Sequence, residues 1–583
     1  MAAPLKAEIL KFPDEWFARP PTPERIQALL TAVPDKGWEP LSAGLYAGAI
    51  NAFERGHMDV AESWYYVAAW AEMLGHSQSR TGHDWLEAAK GTPVLNPSVS
   101  MSALQSLPDE ALSRLLSPEV TAWLLGNRSF SASFFNQRSS LDYLPQVLAI
   151  LQQLHDADRA KFSTYAQLAL AIALVYDSPP PPSWPHRQVT TQALPRLLPR
   201  PLDAFNFLAD ADQHGMTLQK LATLPASELK FAVDLAAPFP ELVWVQKTLK
   251  FTLAQLPKNY DLIRYRNDRL DAQQYVWPGD SYELARIYKE GGICVDQAYF
   301  ATETGKARGV PTLFFRGEGQ DGRHAWFGYL GSGQRWMLDA GRYADQRFVT
   351  GVAIDPQTWT DLSDHDLQFL SEGFRKLPPY QQSCQYELFA RLYLQIGKKT
   401  EAASAARKAV NYERRNLEAW ETLMAASAGV DFRAREALLR EASLAFQRYP
   451  DLNAFFVRSL AASMRARGET SAADFEERSL ARKNLGTRTD LAVDQAAEMV
   501  SRVLENTPLP QQLSVYNHVL LQYGGGAGVD FYDRVVRPFV RALASQQHPG
   551  DAKRALAQAR LALKPDFDSQ LDHEMTELAD SLK

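Results

Sequence analysis

Residues 291–343 read GGICVDQAYFATETGKARGVPTLFFRGEGQDGRHAWFGYLGSGQRWMLDAGRY. A cysteine opens a helical pattern, a histidine opens a strand pattern and an aspartate closes another. Val295, Ala298, Tyr299 and Thr302 recur at i, i+3, i+4 and i+7, which predicts a helix starting near Cys294 with one buried face. Gly309 ends it and Pro311 prevents its resumption. Upstream, Asp280-Ser281-Tyr282-Glu283 reads as a capping box opening a short helix through Lys289, which Gly291-Gly292 stops. Downstream, Thr312–Phe315 reads as a short apolar strand, and His324–Leu330 with Gln334–Asp339 as a hairpin. Gly331-Ser332 puts glycine first, as a type II′ turn wants. A turn centred there pairs Leu330 with Gly333, Tyr329 with Gln334 and, counted outward, His324 with Asp339. Directly opposed residues share a face, with Cβ atoms roughly 4.5–5.5 Å apart.

An imidazole facing a carboxylate is the orienting half of a nucleophilic triad. Cys294 is the candidate nucleophile, because the dipole and N–H groups of a first helical turn favour a thiolate. The two glycines are expected to let backbone N–H groups approach a substrate carbonyl oxygen. Tyr282 and Gln297 are side-chain candidates for the same oxyanion. Arg316 and Glu318 lie in a Gly-rich loop, as substrate contacts or as a solvated surface. Trp326 and Trp336 read as core or pocket wall. Cys384, after Gln381-Gln382-Ser383, reads as a small core residue. The loop glycines lead from strand to strand and make no phosphate cradle.

Taken in order, Gly292 and Cys294 at a helix start, Gly309 and Pro311 before a strand, His324-Ala325-Trp326, then Trp336 and Asp339 closing a strand resemble the transglutaminase-like superfamily of papain-like cysteine enzymes. The resemblance covers about Tyr260 to Tyr343, roughly a seventh of the chain. It implies Cys294 as nucleophile, His324 as base and acid, and Asp339 as orienter. The wider chain resembles large bacterial proteins of that superfamily with helical flanks. Ile293 stands where eukaryotic transglutaminases usually carry Gln, which counts against cross-linking more than against the triad.

The chain has 583 residues, enough for about three or four domains. Apolar residues at 46% and charged residues at 22% describe an ordinary globular protein, and a net charge of −6 offers no basic surplus for nucleic acid. Two cysteines exclude a disulfide-rich scaffold. The histidines are scattered, with no HExxH or CxxC, so neither a metal nor another cofactor is expected. Leu168–Val175 is apolar but too short to span a membrane and reads as a buried core helix. Met1-Ala2-Ala3-Pro4 shows no signal peptide and equally fits an initiator joined to a trimmed start. The compartment stays open: soluble and cytoplasmic by default, periplasmic or secreted if a leader has been removed.

Outside 291–343 the patterns are helical. Gly56, Ala61, Tyr65 and Ala68 match a tetratricopeptide (TPR) grid, which returns at Gly397, Ala402, Ala406 and Ala409. Trp420 and Leu423 open the next repeat of about 34 residues, with weaker echoes through Ala442, Pro450, Gly468 and Ala473. Pro179–Pro182 with Pro185 marks a break. The predicted fold is mainly α with an α+β insert: a papain-like transglutaminase core, a cysteine-bearing helix plus antiparallel sheet, flanked by TPR-like helices. The predicted regions are 1–90, helical with a TPR-like hairpin; 91–244, helical with the Pro-rich break at 179–185; 245–350, the core; 351–384, a connector; and 385–583, TPR-like. The expected activity is acyl transfer through a thioester, with hydrolysis of a peptide or protein preferred. The alternatives are transfer to an amine, as in protein-glutamine cross-linking, and a non-catalytic scaffold whose repeats bind a protein partner.

Overall fold

The computed structural model describes residues 10–90, 92, 101–343, 350–429, 431–484, 486, 488–504, 507–525 and 528–582. The reading of Met1–Pro4 lies outside them. Among the described residues the chain is mainly helical, with one small antiparallel sheet of five strands. It divides into two compact units. The first comprises residues 1–314, 327–340 and 354–362, and the second 315–326, 341–353 and 363–583. Among the described residues no helix is long and apolar enough to cross a membrane.

In the first unit the hairpin predicted around Gly56 consists of helices Trp38–Glu54 and Met58–Gly75. Ala61 and Ala68 are fully buried between them, where a larger side chain would force the helices apart. Leu168–Val175 lies in helix Ala166–Val175 and is buried on all sides, as its unbroken apolar run requires. The Pro-rich stretch carries no helix until Pro201.

The central element is helix Cys294–Ala307, here the cysteine helix. The sequence predicts one buried face; the structure buries every residue from Val295 to Ala307. Helices Phe239–Thr248 and Leu284–Glu290 and the 3-10 turn Leu253–Asn259 pack around it. Its polar residues are therefore interior and need partners. Glu303 accepts the N–H groups of Ala236 and Ala237 at 3.2 and 3.0 Å, and Lys306 sits 2.7 Å from Asp234 and 3.7 Å from Glu303.

The strands are β1 Thr312–Glu318, β2 Arg323–Leu330, β3 Trp336–Ala340, β4 Val352–Ile354 and β5 Asp361–Ser363, in the order β3-β2-β1-β4-β5. β4 and β5 fall in 351–384, so the sheet extends past the predicted 245–350 core into the predicted connector. The β2–β3 turn also departs from its prediction. In place of a two-residue turn, Ser332–Gln334 forms a 3-10 turn closed by Gly331 N–H on Arg335 O at 2.7 Å. Leu330 then pairs with Trp336 and Tyr329 with Met337, in place of Gly333 and Gln334.

The second unit continues as successive helices from Pro378–Gln395 and Lys399–Tyr412 onward. Ala402, Ala406, Ala409 and Trp420 are fully buried. The chain closes with helices Pro549–Leu563 and Gln570–Ser581.

Candidate active site

Cys294 is the first residue of the cysteine helix and the only one in it that is not buried. The turn before it is fixed by backbone and by one buried ion pair. Gly291 has φ 81°, a conformation that costs a side-chain-bearing residue about 1–2 kcal/mol, and it ends helix Leu284–Glu290. Gly292 then bridges to the 264–266 segment, donating to Arg264 O at 3.0 Å and accepting from Arg266 N–H at 2.9 Å. Ile293 N–H donates to Asp296 Oδ2 at 2.8 Å. The same carboxylate accepts from Arg269 Nη1 and from Tyr282 Oη, both at 2.7 Å. Asp296, Arg269 and Tyr282 are at most 2% exposed. Burial pushes the Asp296 carboxyl above its ordinary value, and the Arg269 charge and the hydrogen bonds pull it back.

This arrangement corrects three expectations. The helix after Asp280 starts at Leu284 with no side-chain cap. Asp280 pairs with Arg286 instead, and Glu241 accepts the Leu284 N–H at 2.7 Å. The N–H groups of Gly291 and Gly292 are spent on Ile287 O and Arg264 O, so the glycines shape the turn and donate nothing to a substrate. Tyr282 is spent on Asp296, and Gln297 Nε2 donates to Ile263 O at 2.9 Å. The two side chains suggested for an oxyanion are therefore structural.

His324, 5% exposed, lies near the start of β2. Its Nε2 is 2.8 Å from Gly341 O. A carbonyl only accepts, so Nε2 carries the hydrogen, and in the neutral ring the lone pair is on Nδ1. The Tyr343 ring lies against the imidazole, centroids 4.1 Å apart and planes 22° apart.

Asp339, which is exposed, is the last residue but one of β3. The predicted direct pairing with His324 is not formed. Between the Tyr329–Met337 and Phe327–Ala340 pairs the register shifts, so Leu338 and Asp339 together oppose Gly328. The longer turn moves the register by three residues, an odd number, which by itself would turn Asp339 away from the face of His324. The extra residue adds one more step, so the pairing beyond it, Phe327 with Ala340, lies four residues from the predicted one.

The remaining candidates divide. Trp326 is fully buried, with the Arg342 guanidinium 4.6 Å from its ring centroid and Phe315 stacked at 6.2 Å, so it is core. Arg342 is in turn 3.1 Å from Asp364. Trp336 donates its indole N–H to Glu228 at 2.7 Å and meets Phe231 edge-on, a structural role. Arg316 is exposed on β1 opposite Val352 and keeps its candidacy as a substrate contact. Glu318 is two-thirds buried, 3.9 Å from Arg323, so the loop is not simply solvated. Burial pushes the Cys384 thiol up to about 12. Sequence reasoning missed Gly341, because no side-chain pattern marks a carbonyl, and Tyr343, which stands in the decisive stretch but beyond the strand. It also missed the buried Arg269–Asp296 pair.

Among the described residues no group of three His, Cys, Asp or Glu side chains stands where it could hold a metal ion. Compared with known proteins, the chain matches no family model and no curated protein.

Proposed function

We propose that this protein is a cysteine-dependent acyl transferase acting on amide bonds, with hydrolysis of a peptide or protein as its reaction. The observation that carries the reading is the placement of Cys294. It is the one accessible residue of an otherwise buried helix, at the end where the dipole favours a thiolate, on a turn held by Asp296 and Arg269. The imidazole of His324, with hydrogen on Nε2, supplies the base at Nδ1.

The thiol proton passes to Nδ1 and the thiolate adds to the amide carbonyl carbon. First-turn N–H groups of the cysteine helix donate to the oxyanion. The imidazolium returns its proton to the leaving amine as the C–N bond breaks, leaving a thioester. Water, deprotonated by the same imidazole, releases the acid and the thiol. Asp339 is the carboxylate that favours the imidazolium, and Gly341 O keeps the tautomer.

An electrophilic thiol probe with peptide mapping tests the reading. Labelling at Cys294 that His324→Ala abolishes supports it, and equal labelling of Cys294 and Cys384 counts against it. Addition of a primary amine to a turning-over reaction separates hydrolysis from transfer, by whether an amide of that amine accumulates.

A further inference from the structure

The loop between β1 and β2 does not end in solvent. Gly319 O accepts the Val529 N–H at 3.1 Å, and Asp321 O accepts the Leu571 N–H at 3.0 Å. Asp321 Oδ1 accepts the Asp566 N–H at 2.9 Å, and Gln320 Nε2 donates to Leu563 O at 3.1 Å. Gly528 packs so closely that a Cβ there would stand 2.5 Å from Gln320 Cα. The strongest contacts are at Arg323. Its N–H donates to Gln570 Oε1 at 3.0 Å. Its guanidinium binds Glu574 and lies 2.5 Å from Asp533 Oδ2. Asp533 is further held by Arg537 at 2.8 Å. Charge-assisted, forked contacts of this kind fix direction as well as distance. The next residue along β2 is His324.

We infer that Arg323 is a positioning residue for His324, and that the last helices of the chain, through Asp533, Gln570 and Glu574, set the reactivity of the imidazole. The inference rests on His324 being the base. The C-terminal helices then form part of the catalytic machinery: loosening their hold on the β1–β2 loop lets the start of β2 slide and releases Nε2 from Gly341 O. A misplacement of about 1 Å is enough to cost on the order of a hundredfold in rate.

The test uses the full-length chain with 15N-labelled histidine. Arg323→Gln and, from the opposite side, Glu574→Gln are compared with the parent in two readouts. One is the His324 tautomer from its imidazole 15N shifts, the signal being assigned by its loss in His324→Asn. The other is the second-order rate of Cys294 alkylation by iodoacetamide. Both variants are expected to mix the Nδ1–H form into the His324 signal and to slow alkylation by about tenfold to a hundredfold. Arg323→Lys is expected to recover part of both. Gln570→Ala, which removes the acceptor for the Arg323 N–H without touching a charge, is the second probe where a charge variant loses cooperative unfolding. A His324 signal at its parent position in these variants overturns the inference, whatever the alkylation rate does. If instead His324→Asn leaves alkylation at the parent rate while the Arg323 variants still move the His324 signal, the base assignment fails and the positioning stands.

Discussion

Phe327 of β2 pairs with Ala340 of β3, where an unbroken register from Leu330 and Trp336 would put Asp339. The one-residue bulge that makes this pairing sets Leu338 and Asp339 together against Gly328. It leaves the carboxylate exposed, where its charge is screened and worth about 1 kcal/mol or less. Because Gly341 O also holds Nε2, Asp339→Asn is expected to lower kcat/KM by about fivefold or less and to leave most of the activity. His324→Ala should abolish it. A loss of about four powers of ten in Asp339→Asn would show that the carboxylate alone sets the tautomer.

Tyr343 is the ring the imidazole rests on. Tyr343→Phe keeps the stack and should retain activity. Tyr343→Ala removes an aromatic contact of about 0.5–1.5 kcal/mol and should cost up to about tenfold in kcat, read by steady-state kinetics. Equal loss in both variants would assign the effect to the hydroxyl.

The two thiols should differ sharply. With its thiol pushed up to about 12 by burial, Cys384 holds on the order of one thiolate in ten thousand at pH 8. Iodoacetamide near neutral pH should label Cys294 to completion before Cys384 reacts. Peptide mapping that finds Cys384 first would refute this.

Asp296 and Arg269 carry a buried pair that anchors the cysteine helix. Asp296→Ala strands the Arg269 charge at 2% exposure and should cost about 3–5 kcal/mol in urea unfolding. Replacing both partners by apolar residues, as in Arg269→Met with Asp296→Leu, should recover much of that stability. Because Ile293 N–H loses its acceptor in either case, Cys294 alkylation should stay slow in the recovered double variant.

A buried acid pair gives a pH dependence of defined sign. Burial pushes the Asp142 carboxyl up to about 7, against hydrogen bonds from Ser139 N–H and Gln357, and pushes Asp177 well above its usual range, with the Asp142 charge adding to it. In the unfolded chain both return to the ordinary value near 3.9. Between about pH 4 and pH 7 the folded state therefore binds more protons, and its stability falls as pH rises through that window. Asp142→Asn should flatten part of the slope, measured as the change in Tm between about pH 4 and about pH 7, the ends of the window. An unchanged slope would mean that the pair ionises freely in the fold.

The sequence by itself determined the helix that begins at Cys294 and stops before Gly309, the existence of the first three strands, the core helix at Leu168–Val175 and the helical hairpins around Gly56 and Gly397. These follow from local backbone preference and apolar spacing, which act over a few residues. Only the tertiary structure decided the β2–β3 register, because a hairpin's register depends on the length of its turn, and the 3-10 turn at Ser332–Gln334 is longer than the Gly331-Ser332 signal implies. It also decided which polar groups near Cys294 are spent. Tyr282, Gln297 and the N–H groups of Gly291 and Gly292 are available donors in a sequence and committed ones in the fold, since burial forces each to find a partner. The grip of Asp533, Gln570 and Glu574 on Arg323 joins residues more than two hundred positions apart. No local pattern encodes it, because it arises only when helices near the chain's end pack around the β1–β2 loop.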